Sequence, residues 1–278
     1  RTPALITTDE AGRELPDNVK RQSTGSYFDG DAVQVLNKAL PVQLLKEASF
    51  SKTLPIHLRR ELILATWVRA VLLGNDRGAL ELASEVTRLI PQLGGALQAY
   101  QNASDQKARH LEAVLIMLNN PGMRPFVGAG LSRLTQLNRI DNYRENWWCA
   151  PRNLVDTGFI NQRTLLAFER DNDFPTTFVP KLTFPEFMTA AQTALARTEL
   201  LKVVALEHAP NYLGKQVIDW AKKIPADPRV PEALHLVVRS TRYGCGDETT
   251  SAVSKEAFQL LHKQYPKSEW TKKTPYWF

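Results

Sequence analysis

The sequence predicts an all-α fold, an irregular α-solenoid of stacked helical hairpins. Three observations carry that expectation. Apolar residues recur at spacings of three and four through most of the chain. Helix breakers close the periodic stretches, at Pro41, Gly74, Pro91, Pro121, Pro225, Gly244 and Pro266. No convincing pair of alternating, strand-like runs is present.

Taken in order, residues 1–30 are polar, rich in turn formers and read as an extended lead-in. From Asp31, "DAVQVLNKAL" places Val33, Leu36 and Leu40 on one helix face with Asp31 as its expected N-cap, and Pro41 ends or bends it. "PIHLRRELILATWVRAVLL" is the strongest helix of the first half, its apolar stripe bracketed by Arg59, Arg60 and Arg69 and stopped by Gly74-Asn75. "DRGALELASEVTRLI" follows after so short a link that the two must lie antiparallel. "SDQKARHLEAVLIMLNN" makes a further helix, capped by Ser104 or Asp105, and completes a hairpin region over 31–120. Residues 121–182 are rich in aromatics, Pro and Asn and read as an irregular connection. Regularity returns over 183–278. Thr183 and Glu186 fit a capping box opening a helix to about Glu207. "NYLGKQVIDWAKKI", "PEALHLVVRSTRY", "SAVSKEAFQLLHKQY" and "SEWTKK" supply the remaining helices.

The last third resembles tetratricopeptide-type helical hairpins. In that family a large apolar residue is followed four positions on by a small one and three later by Tyr, as Leu236, Ser240 and Tyr243 stand here. The second helix carries an aromatic eight residues before a breaking Pro, matched by Phe258 and Pro266, with small Ser254 four before the aromatic. The resemblance implies that small residues admit close helix approach, that aromatics fill the wedge between hairpins, and that the first helix of each hairpin lines a concave face. Core packing is expected of Phe258, Leu261 and Trp270. "YPKSEW" also resembles hairpin junctions of bacterial envelope proteins of this type, which points to a periplasmic or secreted setting.

The 278 residues carry a formal charge of +6, yet 29 acidic residues sit among 35 Lys and Arg and no block of five like charges appears. Such a surface is mildly cationic and well solvated, which disfavours a nucleic-acid groove. No apolar run reaches the length of a membrane span. The chain opens on Arg1, as expected of a processed or excised piece of a longer protein. Two cysteines, Cys149 and Cys245, lack metal-ligand spacing and read either as buried free thiols or as one disulfide closing a long loop, which would imply an oxidising compartment.

The chemistry-bearing motifs are sparse. "FVGAGLSR" (Phe126–Arg133) resembles the first phosphate loop of sirtuin-like nucleotide-binding domains. That loop needs a buried strand before it, and turn-like "NNPGMRP" stands there instead, so the stretch is read as a helix-joining loop. The five histidines make no HExxH or comparable pair. His235 and His262, able to face each other across the last hairpin near Cys245, are read as ordinary hydrogen-bonded side chains and no metal is assigned. Glu10, Glu14, Asp171 and Asp173 sit in polar loop-like stretches. No nucleophile elbow or Walker loop is present, and no cofactor is assigned.

"DNYRENWWC" sets Trp147 beside Trp148 near Tyr143 and Arg144; adjacent tryptophans on a regular element point opposite ways, so one is expected to pack and the other to cover a loop or meet a partner. The reading is therefore a non-catalytic helical-repeat scaffold that binds a protein or peptide, part of a larger envelope or secreted protein. Arg239, Arg242 and Tyr243 are its expected contacts on the inner helix, with Trp147 and Trp148 as second candidates. The alternatives are a structural subunit of a self-associating homo-oligomer and an all-helical enzyme acting on carbohydrate or peptide.

Overall fold

A computed structural model describes residues 4–6, 21–23, 26–130, 137–140, 146–150 and 184–277. Among these residues the architecture is all-α, apart from one short antiparallel ribbon of β1 (Ala4–Ile6) and β2 (Arg21–Ser23), in which Leu5 pairs with Gln22. The helices in chain order are α1 (Gly30–Gln34), α2 (Val42–Phe50), α3 (Ile56–Leu72), α4 (Asp76–Leu89), α5 (Gly94–Asn102) and α6 (Gln106–Asn119), then α7 (Ala190–Val204), α8 (Ala209–Lys223), α9 (Val230–Tyr243), α10 (Thr250–Gln264) and α11 (Glu269–Lys272). Two compact units are formed, each from three separate stretches of chain.

One unit comprises Arg1–Pro91, Pro125–Thr135 and Pro151–Ala205. The N-cap of α1 is Asp29 rather than Asp31: its Oδ1 accepts the Ala32 N–H at 2.7 Å. Asp31 then lies inside the first turn, where its charge still suits the helix dipole. The helix widens into a π-turn over Val35–Ala39. Pro41 both stops that turn and stands at the N-cap of α2, a helix beyond those expected from the apolar periodicity. Gly74, at φ +71°, ends α3 in the left-handed conformation a Cβ disfavours, and Asn75 caps α4 by accepting the Gly78 N–H at 3.0 Å.

Helix α3 is covered on several sides, and this changes the role of its arginines. Arg59 and Arg69, expected only to bracket an apolar stripe, are 9% and 3% exposed. A buried cation needs partners in place of water. Arg69 donates to the carbonyls of Pro125, Asn37 and Leu36 at 3.2, 2.8 and 3.4 Å, while burial pulls its pKa down to about 10 against the opposing field of Glu199. Arg59 pairs with Glu85 at 2.8 Å, and Arg60 donates to the Leu89 carbonyl at the end of α4.

The second unit comprises Gln92–Arg124, Gln136–Ala150 and Leu206–Phe278. Asp105 caps α6, accepting the Lys107 and Ala108 N–H groups at 2.8 and 2.9 Å. Helices α8, α9 and α10 pack consecutively, and α8 also packs on α10, as in stacked hairpins. Small residues line these seams. Ser240 and Ser254 are fully buried, and Thr241 Oγ1 donates to Ser254 Oγ at 2.8 Å across the α9–α10 seam. Leu261 is fully buried, whereas Phe258 is half-buried between His262 and Trp277 with ring centroids at 4.0 and 5.0 Å. Tyr265, just before Pro266, donates its hydroxyl to the Pro225 carbonyl at 2.6 Å and so ties the ends of α10 and α8 together.

The helix over 190–204 opens with a capping box of Thr189 and Gln192, not of Thr183 and Glu186. Glu186 stands in a turn before the helix, and Thr183 lies outside the described residues. So do Glu10, Glu14, Asp171, Asp173, Tyr143, Arg144 and most of the 121–182 connection.

Candidate functional site

Within the second unit the segment Asn146–Ala150 is held from several directions. The Trp147 N–H and indole Nε1 donate to the carbonyls of Pro121 and Leu118, just after and at the end of α6. Trp148 Nε1 donates to the Glu207 carbonyl at 3.1 Å, and its own carbonyl accepts the Ala209 N–H at the start of α8. Asn146 Nδ2 reaches the Tyr243 carbonyl at the end of α9.

Trp147 and Trp148 are 2% and 1% exposed, so both pack inside the unit, where the sequence left one of them to cover a loop or meet a partner. The expectation assumed a regular element. Trp147 has φ +51°, and that left-handed turn breaks the alternation, so both rings are buried. A bulky residue in this region costs ~1–3 kcal/mol. Burying an indole of ~200 Å² contributes on the order of 5 kcal/mol, which outweighs the strain.

The same segment delivers Cys149 to Cys245, in the loop after α9. The two are joined as a disulfide, with Cα atoms 5.2 Å apart. Gly244 permits the approach: a Cβ there would lie 2.7 Å from Pro210 Cγ and 2.8 Å from the Ser240 carbonyl oxygen. His208, the residue before α8, stands against this bridge. One of its ring nitrogens and the two sulfurs lie within 4.8 Å of one another. Ala150 donates its N–H to His208 Nδ1 at 2.9 Å, and Nε2 lies 4.0 Å from Asp247 Oδ2. Asp247 is itself fixed by the Thr249 hydroxyl at 2.7 Å and by Asn211 Nδ2 at 2.8 Å. The Thr249 hydroxyl foremost, then Asn211, the Thr249 backbone N–H and His208, hold its carboxyl down to about 2, against partial burial. Asn211 is fully buried, and its Oδ1 has no protein partner among the described residues.

Arg239, Arg242 and Tyr243 are exposed along the second half of α9, with the Arg242 guanidinium 5.1 Å above the Tyr243 ring. Tyr243, at 41% exposure, is a surface side chain and not a wedge filler. His235, one turn before Arg239, hydrogen-bonds Thr274 Oγ1 at 2.7 Å, and His262 Nε2 contacts the Thr274 carbonyl at 2.8 Å. The two histidines thus converge on a threonine and clamp the chain terminus to α9 and α10. Cys245 is engaged elsewhere, by Cys149. Burial first, then Arg239 and Lys273, push the His235 pKa down to about 4.

The glycine-rich loop is part of the other unit's scaffold. Asn37 accepts the Val127 N–H at 3.0 Å and donates to its carbonyl at 2.9 Å, the Gly130 N–H donates to the Phe28 carbonyl, and the Gly128 N–H donates to Glu61 Oε1 at 2.7 Å. A carboxylate therefore holds the amide that would face a phosphate in a nucleotide loop. Ser132 and Arg133 lie outside the described residues.

Sequence reasoning singled out both cysteines, Arg239, Arg242 and Tyr243, whereas His208 counted only among five histidines without metal spacing and Asp247 was not named. Their only sequence signal is position: His208 directly precedes a Pro-initiated helix, and Asp247 is two residues from Cys245. Among the described residues no helix is long and apolar enough to cross a membrane. Comparison with protein-family models, with curated proteins and with solved structures finds no match.

Proposed function

We propose that the chain is a tetratricopeptide-type binding module, non-catalytic, which takes a protein or peptide segment carrying carboxylates, within a larger envelope or secreted protein. The observation that carries this reading is the exposed set Arg239, Arg242 and Tyr243 on one stretch of α9. Guanidinium groups bind carboxylates through paired, charge-assisted hydrogen bonds, and a stacked tyrosine offers apolar contact beside them. Buried Ser240 and Ser254, at the positions where the family carries small residues, support the family reading. The Cys149–Cys245 disulfide supports an oxidising compartment.

The test is crosslinking in native-source extract, read by mass spectrometry, with the wild-type chain and an R239E/R242E variant side by side. A stoichiometric partner crosslinked near α9 and lost on charge reversal is the expected result. A partner retained by the variant, or self-crosslinks alone, would refute the assignment, and the latter would favour a structural subunit.

A further inference from the structure

We infer that Cys149, Cys245 and His208 form a zinc site when the disulfide is reduced, so that the position is either a covalent staple or a metal centre. The donors come from three different parts of the second unit: the Asn146–Ala150 segment, the start of α8 and the loop after α9. Two sulfurs and one imidazole nitrogen lie within 4.8 Å of one another. In a tetrahedral zinc site, with bonds of about 2.0–2.3 Å, donor atoms are about 3.3–3.8 Å apart. Reaching that spacing requires the two sulfurs to part and the imidazole nitrogen, within 4.8 Å of both, to settle beside them.

The donor set is chemically selective. Two thiolates with an imidazole suit zinc and exclude the hard cations that prefer oxygen. Cys149 is 6% exposed, and His208 and Cys245 are half-buried, so the centre is shielded but reachable. The imidazole is already oriented. Because Nδ1 accepts the Ala150 N–H, neutral His208 carries its proton on Nε2, which faces Asp247 Oδ2. Metal taken at Nδ1 would displace the Ala150 hydrogen bond, and the Asp247 carboxylate, 4.0 Å from Nε2, would favour a basic imidazole through its charge. Asp247 lies outside the mutual 4.8 Å cluster and is anchored by Thr249 and Asn211, so it acts from behind the ring. Three protein donors leave the fourth position to solvent or to a ligand.

The chemistry balances with a dithiol reductant. Thiol–disulfide exchange opens the Cys149–Cys245 bond, the reductant's two S–H groups become its own disulfide, and two cysteine thiols remain. Zinc then binds both as thiolates, and two protons pass to solvent.

The experiment uses the full chain, reduced anaerobically by a dithiol that is then removed, and titrated with cobalt(II) as a spectroscopic probe and with zinc in competition. Expected are one cobalt per chain, thiolate-to-cobalt charge-transfer bands in the near ultraviolet, tetrahedral d–d bands, and displacement by one zinc. The oxidised chain gives none of these. H208Q keeps an acceptor for the Ala150 N–H but no imidazole, and is expected to weaken zinc binding at least 10-fold; D247N is expected to weaken it about 10-fold. Absence of the bands in reduced protein whose far-ultraviolet circular dichroism is intact would overturn the site. So would an H208Q variant that binds as tightly as wild type, or a reduced chain that unfolds even with stoichiometric zinc present.

Discussion

Gly214, in α8, is the position where packing and helix propensity make opposite demands. An added Cβ would lie 2.4 Å from Val253 Cγ1 on α10 and 3.1 Å from Val237 Cγ1 on α9. Carbon atoms rest at about 3.5–4.0 Å, so the first contact must open by more than ~1 Å. Neither valine yields easily. Val237 is fully buried, Val253 is 6% exposed, and a β-branched side chain in a helix has one strongly preferred χ1. The helices must therefore move apart, at an overpacking cost of ~1–3 kcal/mol. Helix propensity alone would reward Gly→Ala by ~1 kcal/mol. The expected net for G214A is destabilisation of ~1 kcal/mol, read as a lower urea midpoint at unchanged slope. V253A removes the clashing methyl, so the G214A/V253A pair should be more stable than the sum of the two single changes by at least ~1 kcal/mol. A G214A protein more stable than wild type, with an additive cycle, would refute the view that Gly214 sets the approach of α8 to α10.

Two further outcomes follow from the same unit. The Cys149–Cys245 bridge spans a sequence separation of 96, for which chain entropy gives at most ~4.7 kcal/mol, so C149S/C245S should unfold at clearly lower urea, and coincident curves would contradict a stabilising bridge. His235 titrates near 4 in the fold and near 6.5 when unfolded, so between those values the unfolded chain binds more protons and stability falls as pH drops from about 6.5 to about 4. H235Q should flatten that part of the urea-midpoint-against-pH curve, and an equal slope in both proteins would contradict the assignment.

Helices were legible where apolar periodicity ran for three turns or more and a breaker closed it, as in α3, α4, α6 and α8 to α10. Helix α5 was not, because it opens with Gly94-Gly95, whose propensity argues for a turn. Asp29 and Asp31 are both competent caps by type, and only backbone geometry chooses between them. The burial of Arg69 was illegible for a different reason: its carbonyl partners at Asn37 and Pro125 lie 32 and 56 residues away. The same holds for the candidate site. The cysteines stood out by rarity and α9's arginines by helical spacing, but the meeting of His208 with the bridge depends on Trp147's left-handed turn, which no residue-type preference announces.

The alternation of the two units along the chain bears on how the molecule is made. Ribosomes add ~5–20 residues per second, so the separation of 96 between Cys149 and Cys245 corresponds to a delay of about 5–20 s. Through that interval the Cys149 thiol exists without Cys245, and Trp147 and Trp148 gain the covering helices α8 and α9 only in its later part. A nascent chain of this design presents two indoles and a reactive sulfur to its surroundings before its own cover has been synthesised. Protection of that short stretch by a chaperone during synthesis would guard both its solubility and the correct pairing of its sulfur.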